Sequence, residues 1–178
     1  MHSPHPATLP IEKLLAECEV RRQRRSGPGG QHRNKVETAV VLVHQPTGIR
    51  AEASERRSQD LNHQMAVHRL RVKLAVAVRS ARSTETQPAE ALAPIEPSEL
   101  WRSRVKGSQV HVSPSHADFP ALLAEALDVL ATSAYDMQAA AAMLGCSASQ
   151  LVKFLKLEPE AMQQVNERRA SLNLRPLK

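Results

Sequence analysis

The segment RRSGPGGQHRNK, from Arg24 to Lys35, limits the possible fold more than any other part of the chain. It places three glycines and one proline between two groups of cationic side chains. Glycine loses more backbone entropy on folding than any other residue, so glycine at this density disfavours both helix and strand. The segment is therefore predicted to be a loop, and the positive charge around it indicates an anionic partner.

Positive charge is concentrated in the part of the chain that contains this loop. Residues 1–106 hold 18 Lys and Arg against 11 Asp and Glu, whereas residues 107–178 hold 6 against 7. Such a concentration is typical of proteins that bind nucleic acid, and a basic surface that only confers solubility is the alternative. Aromatic residues make up 2% of the chain, which argues against single-strand binding by base stacking.

The N-terminal half alternates between short helix, strand and turn patterns. Residues 9–17 predict a short helix, and Cys18–Arg22 predicts a strand that leads into the glycine loop. Thr38–His44 is rich in β-branched residues and predicts a second strand, and Ile49–Ala53 predicts its hairpin partner across the turn Gln45–Gly48.

One long helix is predicted to follow this hairpin. From Ser58 to about Arg79 apolar residues return every three or four positions. They are Leu61, Met65, Ala66, Leu70, Leu74 and Ala77. The sequence therefore predicts an α+β domain over residues 1–80.

The remainder divides into a linker and a helical module. Residues 81–112 are proline-rich and then basic, and they are interpreted as a linker and a basic segment. Residues 113–178 predict an all-α module in which Asp118, Asp136 and the pair Ser147 and Gln150 cap successive helices. Gly145 between two of these helices gives the module the character of a helix-turn-helix.

Several catalytic and phosphate-binding motifs do not fit the sequence. A dinucleotide fingerprint needs a third glycine where His32 stands, and neither a P-loop nor the metalloprotease sequence HExxH occurs. Cys18 and Cys146 lack the spacing of zinc ligands, and they are interpreted as small apolar residues. His63 and His68, five positions apart, do not share a helix face. No metal and no cofactor are therefore expected.

The order of residues around the glycine loop resembles the class I peptide-chain release factors. The resemblance runs through Ser26-Gly27, Gly29-Gly30-Gln31-His32, Asn34-Lys35, Glu37, His44, Pro46-Thr47-Gly48-Ile49, Arg57-Ser58-Gln59, Asn62, Ala66, Leu70 and Leu74. An isolated GGQ tripeptide arises often by chance, whereas this ordered set extends from the loop through the predicted helix.

The resemblance implies a catalytic role for Gly29, Gly30 and Gln31. In this family the loop enters the ribosomal peptidyl transferase centre and promotes hydrolysis of the ester that joins peptide to tRNA. Two glycines give a thin backbone for an RNA-lined cavity. The backbone N–H of Gln31 would stabilise the oxyanion of the transition state, by about 3–4 kcal/mol. The Gln31 side chain would orient water.

The resemblance also implies that the loop and its stems bind ribosomal RNA. The RNA-binding residues expected from it are Arg21, Arg22, Arg24, Arg25, Ser26, His32, Arg33, Asn34 and Lys35. The cationic members would hold RNA phosphates, while His32 and Asn34 would either bind RNA or brace the loop. Arg57, Ser58 and Gln59 are expected to cap the long helix.

The chain resembles the short, codon-independent branch of the family more than a full release factor. Its length leaves little room for a domain that reads a stop codon, so stop-codon-independent rescue of stalled ribosomes is expected. A non-catalytic ribosome-binding or RNA-binding regulatory protein that keeps the fold is the alternative. The helical module would bind RNA through Ser147, Gln150, Lys153 and Lys156, or it would be a small helical bundle that docks a protein or simply packs on the catalytic domain.

The expected partners are the ribosome, through large-subunit RNA, and peptidyl-tRNA in the P site. A glutamine methyltransferase that modifies Gln31 is a further partner implied by the resemblance. No stretch approaches the length of a transmembrane helix and the N-terminus lacks an apolar leader, so a cytoplasmic location without membrane contact is expected.

Overall fold

The computed structural model describes residues 4–23, 38–80 and 96–178. It confirms the α+β class, with small antiparallel sheets and a helical C-terminal region. The chain forms two compact units. The first unit contains Pro6–Leu74. The second unit contains the described residues between Ala75 and Lys178, together with Pro4 and His5.

The first unit contains the strands and the long helix that the sequence predicts. After a single 3-10 turn at Pro6–Thr8, its elements are α1 (Ile11–Ala16), β1 (Cys18–Gln23), β2 (Ala39–His44), β3 (Arg50–Ala53) and α2 (Gln59–Ala77). The three strands form one antiparallel sheet in the order β1-β2-β3. Helix α2 continues past Leu74, so its last turn belongs to the second unit.

The turn between β2 and β3 has the geometry that its Pro-Thr-Gly sequence predicts. The carbonyl oxygen of His44 accepts hydrogen bonds from the N–H groups of Thr47 and Gly48. Gly48 has a φ of +70°, a conformation that glycine adopts without the steric cost of a Cβ atom. The turn thereby sets the register in which Val40 pairs with Ala53 and Leu42 with Ala51.

Buried residues of β2 and β3 form much of the core of the first unit. Val40, Leu42, Ala51 and Ala53 share one face of the sheet because side chains alternate along a strand, and each is at most 2% exposed. The α2 residues Ala66, Leu70 and Leu74 are fully buried. Leu61 does not join them, although it fits the apolar period: its side chain is 49% exposed.

The second unit consists of five helices and a two-stranded hairpin among its described residues. They are α3 (Glu99–Arg104), β4 (Val105–Lys106), β5 (Gln109–Val110), α4 (Phe119–Thr132), α5 (Met137–Met143), α6 (Ala148–Leu155) and α7 (Pro159–Ser171). The basic segment that starts at Trp101, which the sequence alone does not place, forms α3 and this hairpin.

Trp101 is the centre of the aromatic core of the second unit. Its side chain is fully buried, and its indole N–H donates a 2.7 Å hydrogen bond to the carbonyl oxygen of Leu144. The ring of Phe154 lies edge-on to Trp101, with 5.6 Å between ring centroids, and it contacts Phe119 at the same separation. Helix α3 is therefore an integral part of this unit.

The predicted helix-turn-helix is formed by α5 and α6. Asp136 caps α5, because its carboxylate accepts hydrogen bonds from the N–H groups of Gln138 and Ala139. Gly145, with a φ of +65°, follows the end of that helix. Ser147 caps α6 through Gln150, but the capping box is only half formed, since the Ser147 N–H donates to the carbonyl oxygen of Ser108 instead.

The prediction that Asp118 caps α4 through its side chain is wrong. No side-chain hydrogen bond from Asp118 to the described amides of α4 is formed. Its carboxylate instead accepts hydrogen bonds from the Arg104 guanidinium, fourteen residues earlier in the chain. A charged, doubly hydrogen-bonded partner therefore competes successfully with the helix amides for this carboxylate.

Candidate functional site

The described part of the candidate site is the base of the connection between β1 and β2. The two strands pair in antiparallel register from Cys18 opposite His44 to Gln23 opposite Ala39. The proposed catalytic residues Gly29, Gly30 and Gln31 lie between these paired ends in sequence, outside the described residues. So do the expected RNA-binding residues Arg24, Arg25, Ser26, His32, Arg33, Asn34 and Lys35.

Asn62 anchors the return of this connection to the sheet. Its side chain is fully buried, and its amide nitrogen donates hydrogen bonds to the carbonyl oxygens of Thr38 at 2.7 Å and Arg56 at 2.8 Å. Its amide oxygen accepts the Arg56 N–H at 2.9 Å. All the polar atoms of this side chain thus join the start of β2 to the segment before α2.

His44 fixes the other end of β2. Its imidazole is 1% exposed, with Nδ1 2.8 Å from the Thr47 hydroxyl and Nε2 3.0 Å from a carboxylate oxygen of Glu17. A carboxylate only accepts hydrogen bonds, so Nε2–H is the donor to Glu17. The sheet that carries the connection is therefore held at both ends of its central strand by hydrogen bonds from a buried polar side chain, Asn62 at one end and His44 at the other.

Arg21 and Arg22 are the two predicted RNA-binding residues that the structure describes. Both are exposed, and they lie on opposite faces of β1 because neighbouring side chains alternate. The guanidinium of Arg21 donates hydrogen bonds to both carboxylate oxygens of Glu19, at 2.5 and 3.0 Å. This contact lowers the pKa of Glu19 and raises the pKa of Arg21. The positive charge of Arg21 is therefore already partly balanced.

Basic residues of α2 donate hydrogen bonds that stabilise the first unit. Arg69 donates hydrogen bonds to the carbonyl oxygen of Glu52 and to the carboxylate of Glu55, at 2.8 and 2.7 Å. The hydrogen bond from Arg69 lowers the pKa of the Glu55 carboxyl. The ammonium group of Lys73 donates to the carbonyl oxygen of Arg50 at 3.0 Å. The high positive charge of this half of the chain is thus in part structural.

Of the three residues expected to cap α2, Ser58 does so. Its hydroxyl oxygen accepts the N–H of Leu61 at 3.3 Å, and its carbonyl oxygen accepts the N–H of Asn62. Gln59 is the first residue of the helix, and Arg57 is exposed just before it. The cap places Asn62 one turn into α2, where its side chain meets Thr38.

The described residues do not form a metal site or an activated thiol nucleophile. Within residues 4–23, 38–80 and 96–178, no three His, Cys, Asp or Glu side chains are grouped to hold a metal ion. Burial raises the pKa of the Cys18 and Cys146 thiols, which disfavours the thiolate that a nucleophile requires. None of the helices in the described part of the chain has both the length and the apolar composition needed to cross a membrane.

Reasoning from residue patterns missed the anchoring roles of Asn62 and Glu17. The available signal for Asn62 is a polar residue within the apolar period of α2, at a position where a solvent-facing side chain would not be expected. Glu17 carries no comparable signal, because its partner His44 is 27 residues away in the chain.

Comparison with known proteins identifies relatives of this region. The family model described as RF-1 domain matches residues 11–113. A chloroplast peptide chain release factor, PrfB1 of Arabidopsis thaliana, is 44% identical over 75 residues, which cover 42% of this chain and 16% of that protein. Peptide chain release factor 1 of Xylella fastidiosa is 41% identical over 69 residues, or 39% of this chain and 19% of that protein.

A mitochondrial relative has similar coverage. The peptide chain release factor 1-like protein of Rattus norvegicus is 38% identical over 71 residues, which cover 40% of this chain and 19% of that protein. The chain therefore spans less than a quarter of the length of these curated relatives.

Proposed function

The chain belongs to the RF-1 domain family, and from this we propose that it hydrolyses the ester bond of peptidyl-tRNA on the ribosome. The catalytic residues of the proposal are Gly29, Gly30 and Gln31. One observation carries it: this tripeptide lies within the family match and between two strand ends, Gln23 and Ala39, that pair with each other.

The proposed reaction needs little acid–base chemistry from the protein. Water attacks the ester carbonyl carbon, and negative charge develops on the carbonyl oxygen before the bond to the tRNA ribose breaks. A backbone N–H, here that of Gln31, stabilises this oxyanion and contributes about 3–4 kcal/mol in comparable enzymes. The glycines Gly29 and Gly30 keep the backbone thin, and the Gln31 side chain orients the water. RNA groups take part in the proton transfers.

The base of the connection supports this proposal physically. An oxyanion donor acts only when it is held within a fraction of an ångström of its productive position. Asn62 joins Thr38 to the start of α2 through a buried amide, and His44 holds the opposite end of the same strand. The connection therefore returns to the sheet at a fixed point.

Ribosomal RNA is the proposed partner of the loop and its stems. Arg22 is exposed next to the paired strand end, and the cationic residues Arg24, Arg25, Arg33 and Lys35 follow in the sequence. Such side chains bind phosphates and position the loop rather than read bases. Ser26, His32 and Asn34 complete the proposed RNA-binding set, and Gln31 is the proposed target of a glutamine methyltransferase.

The finer proposal is that release needs no stop codon, so that the protein rescues stalled ribosomes. The experiment is the release of labelled peptide from ribosomes programmed with three messages: one that ends in the P site, one with a sense codon and one with a stop codon in the A site. Release on the first message without a requirement for a stop codon supports rescue. Release only with the stop codon assigns the protein to ordinary termination.

The catalytic assignment is tested by Gly30→Ala in the same assay. A Cβ at this position obstructs the close approach of the backbone, so the rate of release is expected to fall about 100-fold or more. Gln64→Ala, which removes an exposed glutamine of α2, is the matched control and is expected to release peptide like the wild type. Binding of both variants to ribosomes is measured by cosedimentation.

The second candidate function is a ribosome-binding or RNA-binding regulator without catalytic activity. It is favoured by the second unit, which lies largely outside the family match of residues 11–113. Ribosome binding without release on any of the three messages, and equal behaviour of wild type and Gly30→Ala, would establish this alternative and overturn the hydrolase proposal.

A further inference from the structure

We propose that the second unit binds double-helical RNA through a basic surface formed by α6 and the β4–β5 hairpin. This basic surface consists of Lys106 and Gln109 of the hairpin, Ser149 and Lys153 of α6, and Lys156, which follows the last residue of α6; all of them are exposed. It is separate in sequence from the glycine loop, and the proposal goes beyond peptide release.

Helix α6 divides into a buried face and a basic face. Leu151, Phe154 and Leu155 are buried in the core of the unit. Ser149, Lys153 and Lys156 follow one another at steps of four and three residues, so they share the opposite side of the helix. The core contacts of α6 thus direct both lysines to solvent together.

The hairpin adjoins the start of this helix. In the β4–β5 pair, Val105 lies opposite Val110 and both are half-buried, while Lys106 lies opposite Gln109 and both are exposed. The carbonyl oxygen of Ser108, at the hairpin turn, accepts the N–H of Ser147, the residue that caps α6, at 3.1 Å. This hydrogen bond fixes the hairpin turn at the N-terminus of α6.

Residues 107–178 have nearly equal numbers of acidic and basic side chains, but the two kinds have different surroundings. Most of the carboxylates in the second unit accept hydrogen bonds within the unit. Asp118 and Asp128 accept from arginines, Arg104 and Arg79. Glu125 and Glu167 accept from Ser98 and Gln163, and Asp136 and Glu158 accept from helix amides. No carboxylate in residues 4–23, 38–80 or 96–178 forms an ion pair with Lys106, Lys153 or Lys156. The acids therefore stabilise the fold, while these lysines present their charge to a partner.

The chemistry of this surface matches a phosphate backbone. From Ser147 to Lys156 the helix extends about 13 Å at 1.5 Å per residue. A nucleic-acid duplex carries about one negative charge per 1.7 Å of its axis, so several phosphates fall within this length. Lysine binds phosphate as a point charge, and an acidic protein surface would offer a lower and less regular density of negative charge.

RNA is the favoured duplex because the exposed face of α6 lacks the planar side chains that read base edges with a fixed geometry. A helix that reads DNA in the major groove places Arg, Asn or Gln, and with less fixed geometry Lys, against base edges. On the exposed face of α6 only Ser149 accompanies the two lysines, and Gln150 is half-buried. The major groove of an RNA duplex is too narrow for such reading. Proteins therefore recognise an RNA duplex by its shape and by contacts with its backbone.

The experiment measures binding of the full-length protein to a fluorescently labelled RNA duplex by anisotropy over a series of salt concentrations. The variant is K106Q/K153Q/K156Q, and the matched control is K178Q, which removes an exposed lysine outside both elements. A DNA duplex of the same sequence is the second arm. Because all three lysines are exposed, the variant is expected to unfold at the same temperature as the wild type.

The expected result is a loss of RNA affinity of about tenfold or more in the triple variant, with the slope of log K against log salt reduced by about 3. K178Q should behave like the wild type. The proposal is overturned if the triple variant and wild type bind RNA equally, or if DNA binds as tightly as RNA. It is also overturned if the variant keeps its RNA affinity but loses cosedimentation with ribosomes, which would assign the surface to a ribosomal protein.

This assay contains no peptidyl-tRNA. A failure of RNA binding in it leaves the hydrolase proposal unaffected, and loss of release in Gly30→Ala leaves the basic surface unaffected.

Discussion

The side-chain amide of Asn62 donates a hydrogen bond to the carbonyl oxygen of Thr38 across 2.7 Å, in a position without solvent exposure. Thr38 is the last residue before β2, so this bond marks the point at which the glycine-containing connection rejoins the sheet. The same amide nitrogen also binds the carbonyl oxygen of Arg56, ahead of α2. One side chain thus ties the helix to the base of the proposed catalytic loop.

Replacement of this amide is expected to impair both stability and release. Asn62→Ala removes three hydrogen bonds and leaves the Thr38 and Arg56 backbone groups without their partner. The free energy of unfolding should fall by about 2–4 kcal/mol. Urea unfolding followed by far-ultraviolet circular dichroism measures this change, and the peptide-release assay measures the effect on activity.

The matched control for this position is Gln64→Ala, two residues along α2. Gln64 is exposed and bonds only Asp60 on its own helix among the described residues, so its loss should change stability by about 0.5 kcal/mol or less. Equal stability of the Asn62 and Gln64 variants would show that the buried amide does not anchor the connection.

Arg21 and Arg22 are expected to contribute unequally to ribosome binding. Arg22→Gln should weaken binding by about tenfold, the value of one charge-assisted hydrogen bond to phosphate. Arg21→Gln should have a smaller effect, because Glu19 already holds the Arg21 guanidinium. Filter binding of labelled protein to vacant ribosomes measures both affinities.

Glu19→Gln provides the reciprocal test of this inequality. Without the carboxylate, Arg21 is available to phosphate and one repulsive charge is removed, so ribosome affinity should rise above that of the wild type. A fall in affinity for Glu19→Gln, or equal losses for the two arginine variants, would refute the assignment.

The first unit is largely predictable from its sequence because its signals are local. The β-branched run before His44, the Pro-Thr-Gly turn and the apolar period of α2 each determine an element within a few residues. The role of Asn62 is not predictable in this way. Its hydrogen-bond partner Thr38 lies 24 positions away, and only the folded chain brings the two residues together.

The second unit shows the same contrast. The caps at Asp136 and Ser147 are confirmed because they bind amides two or three residues ahead. Asp118 is also a capping residue type directly before a helix, yet its carboxylate accepts hydrogen bonds from Arg104 instead of the helix amides. The indole N–H of Trp101 donates to the carbonyl oxygen of Leu144, 43 residues later in the chain. The sequence around Trp101 alone therefore does not assign α3 to this unit.

The aromatic contacts of Phe154 should dominate the stability of the second unit. Phe154→Leu removes the edge contacts with both Trp101 and Phe119 and leaves a partly empty site. The expected loss is about 1–3 kcal/mol. Trp101 is the only tryptophan of the chain, so its fluorescence reports the unfolding of this unit directly.

Leu157→Ala is the control for this substitution. Leu157 lies just after the same helix and is 38% exposed, so its loss should cost less than that of Phe154. Coincident unfolding curves for the two variants would show that the ring contacts add nothing to the burial of apolar surface.

His5 should make the stability of the protein depend on pH. Its side chain is 7% exposed, and its Nε2 lies 3.0 Å from the carbonyl oxygen of Val78, to which it donates. Burial lowers the pKa of His5, against the opposing effects of the Val78 hydrogen bond and the Asp128 charge; Arg79 lowers it further. The folded protein therefore disfavours the protonated imidazole.

In the unfolded chain a histidine titrates near its ordinary pKa of about 6.5. Below that pH the unfolded state binds a proton that the folded state does not, so the free energy of unfolding falls as the pH falls. The stabilisation that neutral His5 gives is complete at a pH above the pKa of the unfolded state. It declines as the pH falls from that value to the lower pKa of the folded state. Urea unfolding of wild type and His5→Gln between about pH 7.5 and about pH 5.5 should give curves that converge towards the acidic end. His111→Gln, which removes an exposed imidazole, serves as the control, and a constant difference between wild type and His5→Gln across this range would contradict the prediction.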